Sequence, residues 1–239
     1  MRICLRLLAA ACVAGAIAAL FVCGSRARAD RDREIVELAI SRIYIEYNSS
    51  GNDLGFHVFL DGEDWRKIKI SNPRGRRIFE VEGKGSYRLG LTELFFEGTE
   101  PSLDDVPLDE LLALFPEGEY EFSGKTVDGS DLTGTGILTH AVPAPPSNLS
   151  AELGASNSLV IRWDPVTGPP EGFPDRPITI IGYQVIAGSF QVTLPASSLS
   201  VTVPPEFVAS LAAGAHQFEV LAIESGGNQT ITEGSFTVP

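Results

Sequence analysis

The chain has 239 residues, 44% of them hydrophobic, and its 18 basic and 31 acidic side chains give a formal charge of −13. That balance argues against nucleic acid or anionic lipid as a partner, both of which need a basic face. The three cysteines, Cys4, Cys12 and Cys23, all fall near the start, so the remainder holds no disulfide framework, thiol nucleophile or cysteine zinc site.

Residues 1–29 read as a removed signal peptide. Arg2 and Arg6 precede an uncharged apolar run from Leu7 to Val22, and Ala27-Arg28-Ala29 supplies the small-x-small pattern of a cleavage site. The run of about 16 residues falls short of the ~20 that a membrane span requires. Two alternatives stand beside this reading: a retained anchor, and a lipoprotein processed at Cys23 ahead of Gly24 and Ser25. In each case the protein is exported, to the periplasm or the extracellular space; with the signal peptide removed, the mature chain has no membrane span. From Asp30 onward 14 basic residues face 31 acidic ones, a balance of −17 that favours solubility.

After the charged start at Asp30–Glu34, the pattern turns strand-like. Ile43, Ile45 and Tyr47 alternate with polar neighbours, Asn48 to Asp53 is rich in turn residues, and Phe56, Val58 and Leu60 alternate again up to Asp61-Gly62. Lys67-Ile-Lys-Ile70, the turn Asn72-Pro-Arg-Gly75 and Phe79-Glu-Val-Glu82 form a hairpin signal. The predicted register pairs Ile68 with Val81 and Ile70 with Phe79, leaving Lys67 opposite Glu82 and Lys69 opposite Glu80. A short helix is predicted after Pro107, with Leu108, Leu111, Leu112 and Phe115 on one stripe and Pro116 and Gly118 ending it. Tyr120 and Phe122 resume the strand pattern, Asp128-Gly129 turns the chain, and a last strand ends near Thr139.

Ala141-Val-Pro-Ala-Pro-Pro146 reads as a stiff linker. Composition shifts across it: residues 30–141 hold 12 basic and 23 acidic residues, whereas 142–239 hold two and eight, with no lysine. The expected organisation is a signal peptide (1–29), a β-sandwich-like domain (30–141) and a second β domain (142–239). Charge is also segregated inside the first of these, six bases without an acid over 66–77 and ten acids without a base over 93–121.

The second half carries anchors in a recognisable order. They are Pro145-Pro146-x-x-Leu149, Leu159-x-Ile161-x-Trp163, Ile181-Gly182-Tyr183-x-Val185 and Gly214-Ala215-His216-x-Phe218-x-Val220-x-Ala222, followed by Gly227-Asn228. In this it resembles a fibronectin type III domain, over nearly all of 144–239. The resemblance implies a β-sandwich with Trp163, Tyr183, Phe218 and Val220 in one core. His216 stands where the family has a tyrosine whose hydroxyl bonds back across the sandwich corner, so an imidazole N–H replaces that bond or the bond is absent. The first half, from Leu91-Thr92-Glu93-Leu94-Phe95-Phe96-Glu97 to Thr139-His140, resembles a domain found beside such modules in exported bacterial proteins; that likeness implies no activity. The expected fold class is all-β: two consecutive β-sandwich domains, the second fibronectin type III-like, the first with one short covering helix.

No Gly-x-Ser-x-Gly elbow, phosphate loop, dinucleotide fingerprint or His-Glu-x-x-His occurs. His57, His140 and His216 are scattered, and His57 alternates with Phe56 and Val58, which directs it to the sheet's outer side. The acidic turns at Asn48–Asp53, Asp61–Asp64 and Asp128–Asp131 lack the calcium-loop pattern. Trp65 among Asp61, Glu63 and Asp64 reads as a sheet residue rather than a sugar platform. No catalytic, metal or cofactor site is therefore assigned. The long segment 164–177, with five prolines, is the candidate partner-binding loop; Phe173, Pro174 and Arg176 lie in it, and Asn228 lies on the neighbouring loop. These features lead to a non-catalytic exported binding, adhesion or spacer module of the bacterial envelope, with a protein or polysaccharide as partner. An enzyme or enzyme accessory, such as a polysaccharide-binding domain, is the alternative. N-terminal sequencing of the exported protein is expected to start at Asp30; a lipidated, blocked Cys23 would contradict the cleavage assignment.

Overall fold

The computed structural model describes residues 34–84, 90–154 and 157–239; the leader, its cleavage site and Cys23 lie outside them. The first stretch of chain runs β1 (Ile35–Glu37), β2 (Ile40–Asn48), β3 (Asp53–Ser71), β4 (Arg77–Glu82), β5 (Leu91–Glu97), α1 (Leu108–Leu114), β6 (Gly118–Thr126) and β7 (Asp131–Leu138). β1 pairs in parallel with β7, and the Leu38 N–H extends that ladder by donating to the Thr133 carbonyl at 2.8 Å. β2, one residue further on, pairs antiparallel with β3, which pairs with β6, which returns to β7. The strand order is therefore β1–β7–β6–β3–β2, with the chain from β1 to β2 linking its two ends. From alternate positions, Ile43, Ile45, Phe56, Val58, Ile68, Ile70, Phe122 and Leu132 share one buried cluster.

The hairpin forms in the predicted register. Lys67 faces Glu82, Ile68 faces Val81, Lys69 faces Glu80 and Ile70 faces Phe79. Asn72 closes the turn by accepting from the Arg74 and Arg76 N–H groups, and Gly75 adopts φ +72°, which a residue with a Cβ avoids. Lys67 bridges Glu80 at 2.5 Å and Glu82 at 3.8 Å, so the basic face of β3 meets its neutralising acids across one turn. The helix lies where its stripe places it, with Leu111 and Leu112 buried and Phe115 stacked on Phe56.

Two expectations are corrected here. Asp61-Gly62 does not end a strand: β3 continues for 19 residues and only slips register between Asp61 and Trp65. Its first part lies between β2 and β5 and its second between β4 and β6, so one strand serves both walls. Gly62 permits the crossing, since a Cβ there would stand 2.8 Å from the Leu38 side chain. Nor is the stiff linker a free-standing connection, because residues 141–143 are buried. Val142 is wholly buried in the first cluster, and Ala144 packs on the second. Trp65 is also wholly buried.

The remaining elements are β8 (Ser150–Leu153), β9 (Leu159–Arg162), β10 (Ile180–Ala187), β11 (Phe190–Pro195), β12 (Ser200–Val203), the one-turn α2 (Pro205–Val208), β13 (Gly214–Glu224) and β14 (Gln229–Val238). β12–β9–β8 form a three-stranded sheet, and β11–β10–β13–β14 run antiparallel beside one another. Trp163, Tyr183, Phe218 and Val220 do meet in one buried cluster, with the Trp163 and Tyr183 rings 5.4 Å apart. β14 then pairs in parallel with β2. The strands expected as two separate sandwiches are accordingly joined in one large mixed sheet, with the small sheet packed on its C-terminal end.

Trp163 is 3% exposed, so Trp163→Ala is expected to cost ~3–5 kcal/mol. Thermal unfolding of the variant measures this; a melting temperature near that of the parent would contradict the packing described.

Candidate functional site

Two clusters of polar residues hold the sheet where β14 meets β2. The first centres on Asn228, at the end of the Glu224–Asn228 turn. Glu224 is itself buried, and its carboxylate accepts from the Gly226 N–H at 2.8 Å and the Asn228 N–H at 3.0 Å. That turn aims the Asn228 side chain, 1% exposed, into the gap between the two hydrophobic clusters. Its carbonyl oxygen accepts from the Ile45 N–H at 2.8 Å. Its amide donates to the Thr139 carbonyl at 3.0 Å, the Ala141 carbonyl at 3.1 Å and the Thr139 hydroxyl at 3.2 Å. One side chain thereby satisfies backbone groups of β2 and of the segment after β7. Beside it the Thr230 hydroxyl donates to the Pro143 carbonyl at 2.6 Å.

The candidate loop of 164–177 folds onto the same seam. The Phe173 ring lies 4.8 Å from that of Tyr47 and packs on the N-terminal cluster. Arg176 grips Glu117 with two hydrogen bonds, at 2.7 and 3.3 Å, and the guanidinium holds that carboxyl below its usual range. Pro174 is half-buried between them in sequence. Of the four residues that sequence singles out for a partner, Phe173, Arg176 and Asn228 are engaged within the chain itself.

The second cluster escapes sequence reasoning. On the outer face of β2 and β3, register sets Arg42 opposite Phe59, Tyr44 opposite His57 and Glu46 opposite Gly55. The segment after β5 runs back along β3, with the Gly98 N–H donating to the Phe56 carbonyl, and brings Glu100 over Gly55. A Cβ at Gly55 would lie 2.3 Å from the Glu100 carboxylate, so this glycine is what admits the acid. His57 lies on the outer side of the sheet, as its alternation directs, yet is only 4% exposed, because Tyr44 and Phe95 flank its ring at 5.1 and 5.8 Å. Its Nε2 stands 3.3 Å from Glu100 Oε1 and 4.0 Å from Glu46 Oε1. The second oxygen of Glu46 accepts from the Gln229 amide across the seam. Burial raises the pKa of both carboxyls, and it raises the Tyr44 hydroxyl to about 12. Among the described residues this is the group of His and acidic side chains able to converge on a metal ion.

Alongside runs a groove of ≈ 440 Å³ lined by Tyr44, Phe59 and Phe95 on one side and Ile181, Ile223 and Gly226 on the other. Glu46, His57 and Glu100 are not among its lining residues. The acidic turns serve their own backbones: Asn48 accepts from the Ser50 and Gly51 N–H groups, and Asp128 from that of Ser130. His140 and His216 likewise bond to main-chain carbonyls, of Phe115 and Ala212.

Asn228→Ala is expected to strand several buried backbone groups and to cost on the order of 3 kcal/mol. Denaturant unfolding checks this, with the wild type melting in one transition and the variant in two. A single, unshifted transition in the variant would contradict the role assigned to the side chain.

The chain matches no known family model and no curated protein. Three solved structures overlap it loosely. The spore cortex lytic enzyme SleM of Clostridium perfringens shares 15% identity over 40% of this chain and 28% of its own, with a TM-score of 0.33. A tetra-tandem repeat from the extending region of a large adhesion protein shares 13% over 84% and 50%, with a TM-score of 0.26. A 1.5-MDa bacterial ice-binding adhesin, from a study of host cell surface retention, shares 13% over 86% and 65%, with a TM-score of 0.28. This chain spans less than two thirds of each, and overlaps this loose carry no argument about its role.

Proposed function

We propose that the chain is a non-catalytic, exported binding or spacer module of the bacterial cell envelope, built to keep its two halves in one fixed orientation. The observation that carries this reading is the seam. β14 pairs with β2, Asn228 ties β2 to the end of the first half, and the proline-rich loop clamps Tyr47 and Glu117. A catalytic protein gains from a mobile cleft between halves, whereas a spacer gains from having none. The leader, the acidic balance and the confinement of cysteine to the first 23 residues support export.

Within this reading, residues 142–239 form a fibronectin type III-like sandwich. Support comes from the three-stranded β12–β9–β8 sheet closing over β11–β10–β13–β14 around Trp163. The 2.8 Å bond between His216 Nε2 and the Ala212 carbonyl adds to it, lying where the corner tyrosine would bond upstream. The loop of 164–177 then serves as an internal clamp before it serves a partner.

A second reading, a polysaccharide-binding accessory, draws on the groove, where Tyr44, Phe59 and the 54% exposed Phe95 offer aromatic faces. Fractionation of the native host is expected to place the protein in the envelope or medium. Beads bearing the chain should retain an envelope protein in a manner indifferent to Phe95→Ala. Retention of polysaccharide that Phe95→Ala abolishes would favour the accessory reading, and turnover of polysaccharide by the purified chain would overturn the non-catalytic one.

A further inference from the structure

The cluster on the outer face of β2 and β3 has the makings of a site that the spacer role does not use. Its centre is an imidazole, 4% exposed, whose Nε2 faces two carboxylates that come from strands and loops distant in sequence. Nε2 carries at most one proton, and that proton can be donated well to only one of them. The nearer, Glu100 Oε1, is at 3.3 Å; the other, Glu46 Oε1, at 4.0 Å, is left facing the ring without a hydrogen bond to it. Among the described residues neither glutamate forms an ion pair with a lysine or arginine. The Gln229 amide meets Glu46 Oε2 and so leaves Oε1 turned toward His57.

We propose that Glu46, His57 and Glu100 bind a first-row divalent cation of the Zn²⁺ type, through Glu46 Oε1, His57 Nε2 and Glu100 Oε1. The three ligand atoms lie within 4.8 Å of one another. Two donors each ~2.0–2.1 Å from a tetrahedral ion stand roughly 3.3–3.4 Å apart. The His57–Glu100 distance already has that value, and Glu46 Oε1, at 4.0 Å from His57 Nε2 and within 4.8 Å of Glu100 Oε1, must close toward both. An imidazole with two carboxylates suits zinc and its neighbours, whereas calcium and magnesium take oxygen shells. Three protein ligands leave a coordination position open, and the Glu100 side chain, 30% exposed, provides access to it. Binding requires neutral His57 with its Nε2 lone pair on the ion, so any proton on Nε2 leaves to water. Gly55 is part of the device, because only a residue without a Cβ lets Glu100 lie where it does. The site borders the β14–β2 seam through Gln229, so an ion there would further brace the joint.

The test is calorimetric titration of Zn²⁺ into the full chain, stripped with EDTA, its three leader cysteines alkylated beforehand. One equivalent is expected to bind. Glu46→Gln and His57→Gln should each weaken it by more than the ~10–100-fold that outer-shell changes cost, and His140→Gln and His216→Gln should leave it unchanged. Gly55→Ala, which keeps all three ligands but evicts Glu100, should weaken it comparably. If His57→Gln fails to fold, Glu100→Gln at the exposed rim decides in its place. Absence of stoichiometric binding, or binding indifferent to these substitutions, would overturn the site and leave a hydrogen-bonded His–Glu pair beside a second buried acid. Neither result bears on the spacer reading, which rests on the seam alone.

Discussion

Where one sheet spans two hydrophobic clusters, the backbone groups buried between them need partners within the chain. In this chain that constraint falls on Asn228. Its amide has one acceptor and two donors on a single rigid plane, and they meet the Ile45 N–H on one side and the Thr139 and Ala141 carbonyls on the other. A carboxylate could not donate, and an apolar side chain could do neither. The turn that aims it depends in turn on buried Glu224, whose oxygens receive the N–H groups of Gly226 and Asn228. Once these bonds form, the segment 141–143 has no freedom to act as a hinge: Val142 fills the N-terminal cluster, and Pro143 accepts from Thr230. The clamps at Phe173 and Arg176 add apolar area and charge to a joint whose geometry is already set.

The outer face of β2 and β3 shows the complementary case, in which a missing side chain creates polar density. Gly55 leaves a vacancy on the sheet, Glu100 occupies it, and His57 is covered by Tyr44 and Phe95 instead of by water. Crowding two half-buried acids against one buried imidazole is costly unless a cation or proton is shared among them. The glycine, the flanking rings and the amide of Gln229 together hold that arrangement in place.

Elements with strong local logic could be read directly. The Lys/Ile alternation and the Asn-Pro-Arg-Gly turn specify the β3–β4 register because a one-residue slip would put isoleucine opposite glutamate. The α1 stripe follows from periodicity, and the Trp163 core is what the resemblance to a fibronectin type III domain implies. What sequence hid is all long-range. Asp61–Asp64 looks like a turn, yet β3 runs through it since its two halves have partners on both flanks. The prolines at 143–146 suggest a stiff linker, but its burial depends on Asn228, 87 residues beyond Ala141. Phe173 finds Tyr47, and Glu100 finds His57, across separations that no periodicity encodes. One signal was present: Gly55, His57 and Phe59 alternate on a face expected to be solvated, and a glycine and an aromatic there indicate that something covers it.

A fixed joint between the two hydrophobic clusters is the central claim, and a distance measured across the seam tests it most directly. Nitroxide labels at Glu121→Cys on β6 and Gln191→Cys on β11, both exposed in the parent chain, would be compared by pulsed electron resonance, with the leader cysteines replaced by serine. A fixed joint gives a single distance distribution no broader than the motion of the labels themselves. A broad or multimodal distribution would show that residues 141–146 flex, and would contradict the account.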